Sequence, residues 1–388
     1  MIREITLFSP GDSRSLTCWS NVPCLFARAL EHQGIRINRV NIYSNKYIRK
    51  LIWDPFCAPI IQRLYPSHAY LYEHTRINRF LTALTISRAR HKYVHSDLEV
   101  FIGYDYPVKK SNIPCVLLSD WTFEYLITQR RGLTPCTWET EEIKRQNQIL
   151  EKADCVISLF PDIIQYMKKK YQNPNMYYLG QNVINNADTK PIQENEILKQ
   201  KKVSNILLFI GRKPYLPGAK LLISSFQHLK EQYPLLELHI IGLSTSDFNT
   251  LPKDVFCYGY LDKSNDEQRS LYYQLLRNAR ICINPTPLWA GYSSMIEAMY
   301  YYTPIITSRY QSFVDTFGDP IQFGSYLIEH TIEHLASSIH QLLKTDPETY
   351  CQKASLAHQA VKGFTWDSFA SKFLSTLNQV IQGKNSQI

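Results

Sequence analysis

Several features are missing from this 388-residue chain. No stretch reaches the roughly eighteen consecutive apolar residues that a membrane span needs. No Cys-x-x-Cys occurs among its 9 cysteines, and their number is odd. Scattered cysteines of this kind argue against a disulfide frame or zinc site and for reduced, mostly buried thiols in a cytoplasmic protein. The N-terminal MIREITLFSPGD carries charges inside its apolar segment and has no small-residue cleavage site, so it does not read as a signal peptide. No recognised nucleic-acid-binding module accompanies the basic charge, which counts against nucleic acid as a partner.

What remains fits a soluble, globular chain of two ordinary domains, 44% hydrophobic and 20% charged. The net charge is +9, and it is uneven. Residues 36–92 hold 11 Lys or Arg against Asp54 and Glu73, a balance of +9 that equals the whole excess. Tyr43, Tyr47, Trp53, Phe56, Tyr65, Tyr70, Tyr72 and Phe80 lie in the same stretch. A basic, aromatic surface suits anionic lipid headgroups or an anionic acceptor. The alternative is a solvated helical face whose aromatics pack inward.

Periodicity predicts a strand over 2–8, a polar loop with Gly11 at its first bend, a helix over 22–33 and a strand over 37–43. Such a start predicts a parallel, doubly wound sheet, whose ligands bind where strands end. Helices are expected through the basic stretch, then strands over 98–103 and 115–118. The second strand runs into Asp120, which either faces a ligand or only shapes the turn. Helices over 140–153 and 161–171 alternate with strands over 155–159 and 176–179. The polar run 186–204 reads as an interdomain linker. A second α/β series then begins, with strands over 206–210, 236–241, 255–258, 281–284 and 305–307.

Residues 281–310, ICINPTPLWAGYSSMIEAMYYYTPIITSRY, form the centre of this second series. A strand, a loop holding Gly291, a helix from Ser294 and another strand follow in order. A helix that starts just past a strand aims free N–H groups and a positive dipole end at the loop, which suits phosphate. Glu297, one turn in, is placed to bind a sugar or ribose hydroxyl. Ser294 and Glu297 also have the spacing of a capping box, in which the Glu only ties down the helix start.

These motifs resemble family 4 retaining glycosyltransferases of the GT-B fold. The donor half of that family is matched by Ile210-Gly211-Arg212, Gly218 ahead of a helix, Tyr258-Gly259-Tyr260-Leu261, Glu297-Ala298-Met299 and Pro304-Ile305-Ile306. More loosely, residues 11–30, 148–171 and 180–182 resemble N-domain segments. The resemblance implies an α/β fold with two Rossmann-like doubly wound domains facing a cleft and a C-terminal helix crossing back to the N-domain. The implied bounds are 1–188 on the acceptor side, 189–364 for the nucleotide sugar and 365–388 for the helix. It implies that Glu297 binds the ribose, Arg212 the diphosphate, the backbone of Tyr260 and Leu261 the base, and amides of Tyr292, Ser293 and Ser294 the phosphates and sugar. Gly11 and Gly291 belong to the donor-side loops, and Asp120 stands where a catalytic-site His is usual. The family's Lys is Pro217 here, with Lys213 or Lys220 as substitutes, and the first Glu of its Glu pair falls at Trp289.

The expectation is a retaining, hexosyltransferase-like enzyme that needs no metal or cofactor, since no Asp-x-Asp occurs. Asp120, Arg212 and Glu297 are its catalytic candidates. It would move sugar from a nucleotide-diphosphate donor to a glycan, lipid-linked or other hydroxyl acceptor, in polysaccharide or glycoconjugate synthesis. Its expected place is the cytoplasm, peripheral on the inner face of the membrane, with residues 36–92 toward the anionic surface. The alternative is a non-catalytic GT-B protein that binds a nucleotide or glycan or serves a partner subunit.

Overall fold

The structure, a computed structural model, describes residues 2–43, 46–64, 72–106, 113–180, 184, 186–188, 190–287 and 292–385. The chain divides into two compact units, Met1–Gln181 with Trp366–Ile388, and Asn182–Thr365.

In the first unit, β1 (Glu4–Ser9), β2 (Arg36–Asn41), β3 (Leu98–Ile102), β4 (Cys115–Ser119), β5 (Cys155–Ser158) and β6 (Met176–Tyr177) form one sheet in the order β2-β1-β3-β4-β5-β6. All neighbours are parallel. A parallel sheet needs helices on both faces, which explains the near-continuous burial of β3 and β4. Glu99 is tolerated inside β3 because Arg90 grips both its oxygens, at 2.6–3.1 Å. The final helix, Trp366–Asn385, packs on helix Val22–His32, where the ring of Phe26 meets Trp366, Phe369 and Phe373 at 5.6, 5.7 and 5.1 Å.

The second unit also holds six parallel strands, in a different order. Its strands are β7 (Ile206–Ile210), β8 (Glu237–Ile241), β9 (Val255–Cys257), β10 (Ile281–Asn284), β11 (Ile305–Ser308) and β12 (Gly324–Leu327). They lie in the order β12-β11-β10-β7-β8-β9, again all parallel. Leu207, Phe209, Leu238, Ile240, Ile281, Ile283 and Ile306 form the sheet side of its core, and helices Leu216–Lys230 and Ile332–Leu343 cover them.

Two expectations are corrected here. Residues 186–204 are not a free linker. They contain helix Glu194–Lys201, whose Ile197 and Lys201 are buried in the second unit. The Lys201 ammonium is fully enclosed and donates at 2.7 Å to Leu276 O, Ala279 O and Thr303 Oγ1. Three such acceptors replace the water that burial removes, although burial still drives its pKa well below the usual lysine range. The helix expected from Ser294 starts earlier and spans Tyr292–Tyr300.

Past β2, the described residues of the basic stretch are mostly helical, as its pattern predicts, but its aromatics do not all turn inward. Tyr72 is buried, whereas Tyr43, Tyr47, Phe56 and Phe80 are exposed, and Tyr65 and Tyr70 lie outside the described residues.

Candidate functional site

The second sheet changes its direction of winding between β7 and β10. Loops leave the carboxyl ends of these two strands on opposite sides, and such a switch point opens a crevice suited to ligands. β7 runs into Gly211-Arg212 here, and β10 runs into Pro285 and Thr286, ahead of helix Tyr292–Tyr300.

Side chains join the two strand ends. Asn284 accepts from the Thr286 hydroxyl at 2.7 Å, and the Ser294 hydroxyl donates to Ile210 O at 3.4 Å. Helix Leu216–Lys230 enters close against the same loop. A Cβ on Gly218 would stand 2.4 Å from Thr286 Oγ1 and 2.9 Å from the Thr286 nitrogen, so only glycine fits. Behind it, the loops after β8 and β9 are laced by Gly242 N–H to Gly259 O at 2.7 Å and Gly259 N–H to Leu243 O at 2.9 Å. That lacing presents Tyr260 at the surface and tucks Leu261 inside.

The expected donor residues of this unit therefore gather along one carboxyl edge. Arg212, Lys213 and Lys220 are exposed there. Among the described residues no hydrogen bond or ion pair engages the side chain of Arg212 or Lys220, while Lys213 comes within 4.0 Å of Asp247. Ser293 and Ser294 are half-buried in the first turn of helix Tyr292–Tyr300. The Tyr292 side chain points into the core and donates to Thr316 Oγ1 at 2.6 Å, leaving only its backbone for a ligand. Gly291 and Trp289 lie outside the described residues.

Glu297 departs from the capping-box reading of its sequence pattern. It sits in the second turn of its helix with Ser294 already inside the helix, so the pair is not a capping box. Its carboxylate is 3% exposed and takes four contacts. Lys263 Nζ reaches its two oxygens at 2.8 and 3.1 Å. The Tyr272 and Tyr273 hydroxyls donate to one oxygen each, at 2.7 and 3.3 Å. A carboxylate offers about four lone-pair sites, so this one is filled. The Lys263 ammonium also lies 4.2 Å from the Tyr272 ring centre. Burial, followed by the Glu297 charge, holds both tyrosine hydroxyls well above their usual pKa, which keeps them as donors. Lys263, Tyr272 and Tyr273 are the residues that sequence reasoning missed. Their only signal was position, with Lys263 two residues past Leu261.

Gly11 and Asp120 belong to the first unit and lie along the carboxyl edge of its own sheet. Gly11 follows β1 at φ +133°, and a Cβ there would meet Cys18 Sγ at 2.7 Å. Asp120 follows β4, where its backbone oxygen accepts from the Ser158 hydroxyl at 2.6 Å. The next side chain, Trp121, stacks on the Phe160 ring at 5.9 Å. Burial pushes the Asp120 carboxyl up to about 7, against the pull of Arg130. Such a group exchanges a proton near neutral pH. The switch point of this sheet, between β1 and β3, opens into a pocket of about 820 Å³ lined by Pro10, Trp19, Tyr43, Phe80, Tyr106 and Arg145, among others. Among the described residues, no group of three or more His, Cys, Asp or Glu side chains could hold a metal ion.

Comparison with known proteins matches residues 192–357 to the family model Glycosyl transferases group 1. No curated protein sequence matches the chain. Among solved structures, sucrose-phosphate synthase from Thermosynechococcus elongatus is similar with a TM-score of 0.68 at 17% identity, covering 98% of this chain and 100% of that one. A glycosyltransferase from Rickettsia africae gives 0.63 at 13% identity, covering 98% and 99%. HepE of Anabaena, solved in complex with UDP and glucose, gives 0.58 at 12% identity, covering 97% and 100%. The fold shared across these full-length matches is GT-B.

Proposed function

We propose that the chain is a glycosyltransferase that moves a sugar from a nucleotide-diphosphate sugar to an acceptor hydroxyl. One observation carries this reading. At the switch point of the second sheet, the unengaged guanidinium of Arg212 and the first turn of helix Tyr292–Tyr300 stand on the same edge. The departing nucleoside diphosphate gathers negative charge, and a guanidinium with a helix N-terminus stabilises that charge without a metal. The family match over 192–357 and the UDP bound by HepE support a nucleotide as the ligand of this edge.

In this reading Lys213 and Lys220 add charge near the phosphates, and the backbone at Tyr260 and Leu261 holds the base. Ser293 and Ser294 offer amides to the phosphates and the sugar. Glu297 can reach a ribose hydroxyl only after Lys263 withdraws, because its acceptor sites are filled. Transfer with retention follows from attack on the face that the diphosphate leaves, with a phosphate oxygen taking the acceptor proton. That route needs no protein nucleophile. Asp120, titrating near neutrality in the first unit, is the carboxyl suited to an acceptor hydroxyl. The acceptor would be a glycan or a lipid-linked hydroxyl, with the protein peripheral on the inner, anionic face of a membrane.

Incubation with a panel of UDP, GDP and ADP sugars tests the reading through release of free nucleoside diphosphate. Release with one donor is expected; no binding and no turnover with any of them would end it. A second reading, nucleotide binding without transfer, is favoured by the closed state of Glu297. It predicts measurable affinity for one nucleotide but no release of diphosphate with any donor or acceptor.

A further inference from the structure

The helical run Lys46–Ile48, Arg49–Cys57 and Ala58–Leu64 contains no buried residue over 49–64. A helix with that little cover would ordinarily be polar outside. Here apolar side chains are exposed instead: Tyr47, Leu51, Ile52, Phe56, Ile60 and Leu64 are all more than half exposed, Leu51 at 69% and Phe56 at 66%. They recur every four or five residues, one turn of the wide π-helix Arg49–Cys57 and of the helix after it, so they line one outward stripe. Ile48, Trp53, Cys57 and Ile61 form the half-buried inner side, with Trp53 against the ring of Tyr72 at 5.7 Å. The stripe is therefore not a core face left uncovered; the core face is the other one.

Charge says what could cover the stripe. Lys50 and Arg63 flank it and are exposed. Asp54, the one acid in the run, lies 3.5 Å from Arg49. Helix Arg76–Lys92 adds exposed Ile77, Phe80 and Leu84, with exposed Arg76 and Arg88 beside them. Apolar side chains within a basic surface match an anionic lipid interface, where the first enter the acyl boundary and the second meet headgroups. The run is also tied to the pocket of its own unit. Arg49 donates at 3.0 Å to Tyr43 Oη and at 3.0 Å to Glu73 Oε1, and both residues line that pocket.

We propose that the outer stripe of residues 47–64, with the exposed apolar side chains of helix Arg76–Lys92, seats the first unit on an anionic bilayer beside the pocket at its switch point. This rests on the reading above for the acceptor only; the docking itself needs no donor chemistry. The test is co-sedimentation of the whole protein with vesicles of phosphatidylcholine alone or with added phosphatidylglycerol, at low and high salt. Binding is expected to the anionic vesicles only, falling with salt. Lys50→Glu with Arg63→Glu should weaken it by roughly five-fold per cation removed, or more. The triple variant Leu51→Ser, Phe56→Ser, Ile60→Ser should abolish it, while both variants keep the parent's melting temperature and nucleotide affinity. Equal binding to neutral vesicles, unchanged binding of the triple variant, or a dimer in solution that the triple variant breaks would overturn the proposal. Loss of nucleotide binding in the parent protein would count instead against the donor-site reading, and vesicle binding reports on neither Arg212 nor Glu297.

Discussion

At the switch point of the second sheet the chain is drawn tight. Gly218 lets a helix touch Thr286, Gly242 and Gly259 lace two loops together, and Glu297 is filled by three neighbours. At the switch point of the first sheet the loops stand apart around about 820 Å³, and an apolar helical stripe faces outward nearby. Both sheets hold six parallel strands and one switch point, but the order differs: two strands lie to one side of it in the first sheet and three in the second. The residues that follow the strands differ too: small and hydrogen-bonding in one, large, aromatic and basic in the other. A tight edge of N–H groups with two cations unengaged among the described residues, Arg212 and Lys220, suits a phosphate-bearing ligand. A wide apolar mouth suits a bulkier one.

The comparison can be broken at the tight edge first. Glu297→Gln leaves Lys263 without its countercharge and should cost about 3 kcal/mol in urea unfolding. Adding Lys263→Met should recover much of that loss, a coupling that a double-mutant cycle would measure. Purely additive losses would show that the pair is not a unit. Next, Gly218→Ala forces a Cβ against backbone that cannot yield and should cost about 1–3 kcal/mol. An alanine at Gly132, where nothing stands within 4 Å, tests φ strain alone, since its φ is +63°. It should leave any ligand affinity untouched, while Gly218→Ala should lower it.

The first unit gives a smaller, pH-dependent effect. The folded pKa of Asp120, about 7, lies above its unfolded value of 3.8. Between those values the folded protein holds a proton that the unfolded chain releases, so this group lowers stability as pH rises through the window. Asp120→Asn removes the effect. It should be neutral at about pH 4 and gain about 1–2 kcal/mol over the parent by about pH 8, allowing for partial exposure. A flat difference across that range would mean that Asp120 is ionised throughout.

Much of this is legible in the sequence. Apolar runs such as ILLFI and ICIN announced the strands of the second sheet, and turn residues marked their ends. β12 was not announced, because Gly324 and Ser325 open it without an apolar run. Glycine is required there, since a Cβ would lie 2.0 Å from Ile305 O. Residues 186–204 misled through their charge: nothing local shows that Lys201 will find three oxygens from distant segments. The capping-box reading of Glu297 misled in the same way. The spacing of Glu297 from Ser294 is local and visible, whereas Lys263, Tyr272 and Tyr273 reach it only through the fold. Arg212 was placed correctly at a strand end because that position depends on the strand alone. An outward surface with Tyr47 and Phe56 is one of the two readings of residues 36–92; that Leu51, Ile52, Ile60 and Leu64 join it is not legible, because a π-helix shifts the period by which faces are read.

The central claim is that Arg212 and the helix after β10 form a diphosphate site. Calorimetric titration of the parent protein and of Arg212→Ala with UDP, GDP and ADP tests it most directly. One nucleotide should bind the parent, and the variant should bind it about ten- to a hundred-fold more weakly, since a charged hydrogen bond contributes about 1.5–3 kcal/mol. Its melting temperature should not change, because no described contact is lost. Equal affinity in the two proteins would contradict the claim.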